Sequence, residues 1–186
     1  MSFVARLAFL PLLFVLGAAG PSERVLKHPG GGPALVVPAG SPVHFKGFDE
    51  DGGARFSGRF VLRGTFVYHC EVECEPGIKV ADLSFGIMPD TELAKRLPHW
   101  EDRGDGLIID VSPIEALRGK IAPRKQIDEL LAGKRADIRG HISVVVDDYS
   151  AGYGCDYSPY YSARFISVVE PPQMAQNEAE PNFGCA

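Results

Sequence analysis

Positive charge is in short supply in this chain: 19 Lys and Arg stand against 24 Asp and Glu, for a net charge of −5. A mildly acidic chain lacks the electrostatic footprint of a nucleic-acid binder. It is also not charged enough to be disordered. Catalytic signatures are missing too. No Ser or Cys sits in a recognisable nucleophile elbow, and no zincin motif or phosphate loop occurs. There is no EF-hand loop and no internal repeat. After residue 20 no apolar run approaches the roughly 20 residues that span a bilayer. These absences remove the motif-level case for an enzyme and leave a site assembled only in space as the catalytic alternative.

What is present begins at the N-terminus. Arg6 precedes an apolar run from Leu7 to Leu16, broken by Pro11, and Gly17 and Ala19 then occupy the positions a signal peptidase reads. Charged, apolar and small regions in that order predict a cleavable secretion signal over residues 1–19. The run is too short for a membrane anchor. Cleavage after Ala19 leaves 167 of the 186 residues, with 18 basic and 24 acidic side chains (18 − 24 = −6). That is the size of one domain, and an apolar fraction of 45% supplies a real core. The expected location is outside the cytoplasm, periplasmic or secreted.

Residues 20–55 are rich in Gly and Pro (PGGGP at 29–33, DEDGG at 49–53) and read as an extended leader that wraps the domain or stays mobile, with a short strand at Leu35–Val37. The clearest signal follows at 56–74. Phe56, Gly58, Phe60, Leu62, Gly64, Phe66, Tyr68, Cys70, Val72 and Cys74 alternate with Ser57, Arg59, Arg63, Thr65, His69, Glu71 and Glu73. A straight strand of that length would span roughly 60 Å. It is therefore expected to bend or break at Gly58 or Gly64, where no side chain obstructs a coil.

Further strands are expected at Ile78–Met88, Leu107–Val111, Ile138–Asp148 and Tyr160–Val169. Helical turns are expected after Asp90 and after Ser112-Pro113, and a longer helix at 123–133, opened by Pro123 and closed by Gly133. The order is three strands, a helix and two strands (β-β-β-α-β-β). It predicts a mainly β fold, a small five-stranded OB-like Greek-key barrel with short helices over residues 56–169. Residues 170–186 read as a disordered polar tail.

Four cysteines remain in the exported chain: Cys70, Cys74, Cys155 and Cys185. An even number in an exported protein reads first as structural disulfides. The preferred pairing joins one of Cys70 and Cys74 to Cys155 and the other to Cys185. The competing pairing joins Cys70 to Cys74. A bridge from the first strand to Cys155 closes about 80 residues, worth about 4 kcal/mol in the chain-entropy account. A redox or metal site at His69, Cys70 and Cys74 is the functional alternative. Three residues between the cysteines, and no second ligand cluster, count against it.

Tyrosines crowd one region: Tyr149, Tyr153, Tyr157, Tyr160 and Tyr161. Gly152, Gly154 and Pro159 argue for a turn-rich loop between the fourth and fifth strands. Loop tyrosines are amphipathic and inexpensive to fix, so they are candidate ligand-binding residues. The competing reading packs these rings beneath the loop. Asp147, Asp148 and Asp156 read as solvated strand-end charges, with calcium as the alternative. No cofactor is implied. The function expected is therefore an exported, disulfide-stabilised, non-catalytic binding or scaffolding domain whose partner is a cell-envelope protein, peptide or glycan. The alternative is a small exported hydrolase or metal-dependent enzyme, in which His69 or His141 meets a carboxylate in a pocket.

Overall fold

A computed structural model of the chain describes residues 22–70, 83–104, 106–117, 119–154 and 158–175. Among these residues the fold is mainly β. Strands β1 (Arg24–Leu26), β2 (Leu35–Val37) and β3 (His44–Phe48) all lie in the segment read as a leader. That segment is thus structured: Leu35, Val37 and Val43 are buried in the core. The apolar side chains between its glycines supply the burial that holds it down.

The alternating segment folds as β4 (Ala54–Ser57) and β5 (Phe60–Cys70). Phe56, Phe60, Leu62, Phe66, Tyr68 and Cys70 are buried while Arg59, Val61 and Arg63 are exposed, as period 2 requires. Val67 is buried as well, against the parity. The break falls at Gly58, whose φ of +123° is open to glycine and strained for other residues. Gly64 stays inside β5 and does a different job. A Cβ there would overlap the Met88 carbonyl, so the bare α-carbon lets the neighbouring strand come close.

That neighbour is β6 (Leu83–Pro89), which buries Leu83, Phe85 and Ile87 on one face. Residues 71–82, which hold the remainder of the first and the start of the second expected strand, lie outside the described residues. Helix α1 (Thr91–Ala94) follows Asp90, which makes no side-chain cap bond. Next come β7 (His99–Trp100), β8 (Ile109–Ser112) and α2 (Ile114–Leu117). Helix α3 (Arg124–Leu131) starts after Pro123 and buries Ile127 and Leu130. It ends where Lys134 N–H donates to the Glu129 carbonyl (2.9 Å) and Gly133 N–H to that of Leu130 (3.0 Å), the paired bonds of a Schellman stop.

The last two strands, β9 (Asp137–Tyr153) and β10 (Pro159–Met174), run further than periodicity suggested. Tyr149–Tyr153, expected in a turn-rich loop, belong to β9, and Pro159 already begins β10. Residues 170–174, expected in a disordered tail, are strand: Glu170, Gln173 and Met174 pair with Ser143, His141 and Gly140 of β9. Backbone pairing to a long partner holds a polar segment that composition alone reads as loose.

Pairing closes five strands into a ring. β5 is antiparallel to β6, β6 to β8, β8 parallel to β10, β10 antiparallel to β9, and β9 to β5. β4 also pairs with β9 and carries β3 on its outer edge. β1, β2 and β7 form a separate three-stranded sheet. No helix among the described residues is long and apolar enough to cross a membrane.

Candidate functional site

One irregularity in β9 decides where the tyrosines point. Ser150 pairs with Ser162 and Asp147 with Arg164, so three steps on β9 face two on β10. This is a β-bulge. Asp148 sits in it at φ +49°, a left-handed conformation that Asp tolerates better than most residues. Before the bulge the even positions Ile142, Val144 and Val146 are buried. After it Tyr149 and Ala151 are. The parity flip carries Tyr149 into the core and delivers Tyr153 to the end of the strand on the same face.

The carboxylates of the bulge face cations. Asp147 accepts from Arg164 Nε at 2.8 Å and lies 3.7 Å from Arg59, and Asp148 pairs with Arg164 at 2.9 Å. The Arg164 hydrogen bond holds the Asp147 carboxyl below the usual range. These two residues are therefore engaged by arginines rather than arranged around a shared point, and Asp156 lies outside the described residues. Among the described residues no group of His, Cys, Asp and Glu is placed to hold a metal ion.

The tyrosines divide by burial. Tyr149 is fully buried and its hydroxyl donates to the Pro98 carbonyl at 2.7 Å. Tyr161 is buried, and its hydroxyl accepts the Trp100 N–H at 3.2 Å. Burial pushes the Tyr149 phenol well above its ordinary range and that of Tyr161 to about 12. Tyr160 is 46% exposed and lies over Gly152, where a Cβ would stand 2.6 Å from its ring. Tyr157 lies outside the described residues. Tyr149 and Tyr161 are thus core residues.

Tyr153 is different. It is half-buried and lines a cleft of about 580 Å³. The cleft opens between its strand, the loop at residues 30–33, Asp51 and Gly52 of the β3–β4 turn, and Asp102 after β7. The Tyr153 hydroxyl donates to Asp102 Oδ1 at 2.8 Å. Its ring lies 4.9 Å from that of Trp100. Burial, then the bond to Asp102, raises the Tyr153 phenol far above its ordinary value.

His28 is the second aromatic group of the cleft, and sequence reasoning placed it in the loose leader. Its ring meets Trp100 edge-on at 5.5 Å, Phe48 at 5.9 Å and Tyr153 at 6.3 Å. Nδ1 stands 2.8 Å from the Gly31 carbonyl oxygen and 3.1 Å from the Gly30 backbone nitrogen. The imidazole thus ties the glycine loop to the aromatic cluster. Gly52 makes room for it: a Cβ there would lie 2.5 Å from His28 Nε2, and its φ of +82° also disfavours a side chain. The signal available in sequence was His28 immediately before PGGGP, a ring at the base of a flexible loop.

The catalytic alternative has its own place. His141 lines a cleft of about 260 Å³ with Arg63, Asp90, Ser143 and Glu170. His141 Nδ1 lies 3.3 Å from Thr65 Oγ1, and Glu170 pairs with Arg63 at 3.2 Å. Ser143 is 2% exposed, and its hydroxyl has no hydrogen-bond partner among the described residues. The cleft brings His141 together with the carboxylate residues Asp90 and Glu170, and no hydrogen bond joins Ser143 to His141. His69 bonds through Nδ1 to the Cys70 carbonyl at 2.8 Å and stands opposite Asp137 in the pairing of β5 with β9. Of the cysteines, Cys70 is buried at the end of β5, and Cys74, Cys155 and Cys185 lie outside the described residues.

No known protein family, no curated protein and no solved structure matches this chain.

Proposed function

We propose that the protein is an exported, disulfide-stabilised, non-catalytic binding domain, built on an OB-like Greek-key barrel, with its ligand seat in the cleft between His28 and Tyr153. The single observation that carries the reading is this cleft, where four segments distant in sequence converge on an aromatic floor. Ligand sites are concave, with an apolar floor and a few placed polar groups.

The barrel reading rests on the succession of β5, β6 and β8, the intervening α3, and the closure by β9 and β10. Folds of that kind bind at the loop between their fourth and fifth strands. Tyr153 and Gly154 of the cleft stand at that position. Export rests on the charged, apolar and small regions of residues 1–19. The disulfide reading rests on an even cysteine number together with export, and on Cys70 being drawn into the core rather than left on the surface.

The test is the intact mass of protein recovered from an exporting bacterial host, before and after reduction with alkylation. The expected result is a chain starting at Gly20 whose four cysteines alkylate only after reduction. A chain retaining residues 1–19, or cysteines that alkylate without reductant, overturns the exported, bridged domain.

A further inference from the structure

The walls of the His28–Tyr153 cleft carry charge of one sign. Asp51 and Asp102 line it, and no Lys or Arg among the described residues does. Both residues are exposed. Asp102 uses Oδ1 to accept the Tyr153 hydroxyl, which holds its side chain over the floor. The rest of the wall is backbone. Gly31 and Gly32 have open space where a side chain would stand, so the lip obstructs nothing entering from solvent.

From this geometry we infer that the cleft takes an organic cation, an ammonium or guanidinium group, which the two carboxylates face from the rim and the aromatic floor receives. The inference rests on the cleft being the ligand seat. Carboxylates attract such a group by charge. An aromatic face attracts it through its quadrupole, most strongly where water is excluded. The volume of about 580 Å³ is much larger than one ammonium group, so the cation enters with the chain that carries it. A net charge of −5 favours encounter with a cationic partner over an anionic one. A neutral saccharide would also stack on the rings and bond to the carboxylates. Its hydroxyls would need only one acceptor each and no net charge, whereas a cation is attracted by both carboxylates together, and this feature selects the cation.

The experiment titrates the full chain by calorimetry, at low and high salt, with four probes: tri-lysine, spermidine, cellotriose and tri-glutamate. Binding of tri-lysine, weakened by salt and absent for tri-glutamate, is the expected result. Spermidine separates the sources of the cation. Equal binding means that a free polyamine suffices, and binding of tri-lysine alone means that a peptide carries the charge. The paired change Asp51→Asn with Asp102→Asn weakens tri-lysine binding about tenfold, from about 0.7 kcal/mol for each exposed pair. Tyr153→Leu keeps an apolar floor without the π face and weakens it about threefold. Melting temperatures show that each variant is folded. Cellotriose binding with no tri-lysine binding overturns the cation and leaves the cleft as a ligand seat. Tri-lysine binding that survives the paired Asn change unaltered overturns the assignment of the cation to this cleft. No binding of any probe overturns both the cation and the ligand seat.

Discussion

Replacing Tyr149 by Phe removes one hydroxyl from the centre of the molecule and nothing else. The ring remains 5.5 Å from Phe56, 6.2 Å from Phe60 and stacked at 6.4 Å on Tyr161. The lost bond is the donation to the Pro98 carbonyl at 2.7 Å. Tyr149 and Pro98 are both buried, so water cannot replace the hydroxyl, and the carbonyl is left without that donor. An unsatisfied buried acceptor costs about 1–3 kcal/mol. The Phe variant recovers part of that, because it no longer has a hydroxyl to desolvate. A net loss of about 1–2 kcal/mol is expected, a fall in Tm of about 2–8 °C for a chain of this size. Trp100, the sole tryptophan, is fully buried, so its emission reports unfolding in urea or heat directly. Tyr160→Phe is the control: its ring is 46% exposed, and a change there should stay within about 0.5 kcal/mol. If Tyr149→Phe moves the midpoint no more than Tyr160→Phe does, the argument that this bond anchors β9 to the segment before β7 is wrong.

Three further outcomes are expected. Asp148→Val forces a β-branched residue into the left-handed region and should destabilise the fold by about 1–2 kcal/mol in urea titration. Asp148→Gly should not, because relief of the backbone outweighs the pair with Arg164, which at 55% and 63% exposure contributes little; a loss equal to that of Val would refute the bulge geometry. Gly64→Ala sets a methyl group against the Met88 carbonyl and should cost about 3 kcal/mol or more, read as a loss of folded protein or a large fall in Tm. Acidification tests His99, whose imidazole is held below its ordinary pKa chiefly by burial. The unfolded chain takes its proton first as pH falls through about 6.5, so stability drops below that pH and the loss levels off once the folded form also protonates. The Tm between about pH 7 and about pH 5.5 should therefore fall more steeply in the wild type than in His99→Gln, and equal slopes would remove burial as the cause.

The architecture also explains how a cleft forms in a region of weak local pattern. His28, Asp51, Asp102 and Tyr153 belong to segments with little in common in sequence. They meet because β2 pairs with β7 and β4 pairs with the end of β9. Trp100 lies beneath them in contact with the His28, Phe48 and Tyr153 rings. Burial of that aromatic cluster positions the rim carboxylates, and rings in T-shaped and tilted arrangements hold it together beyond the gain from area alone.

The sequence by itself determined what depends on near neighbours along the chain. The alternation over residues 56–70, the strand at Leu35–Val37, the helix between Pro123 and Gly133 and the mainly β character all follow from local periodicity and from Gly and Pro positions. Only the tertiary structure decided the rest. A one-residue bulge at Asp147–Asp148 reverses the inward parity of β9, and no local pattern around SVVVDDYSAGY announces it. Residues 170–174 are strand because β9 is long enough to pair with them, although their own composition is that of a tail. His28 belongs to the cleft because a glycine 24 positions later leaves space for its ring. In each case the deciding partner lies far along the chain, and contact energy depends on proximity in space rather than in sequence.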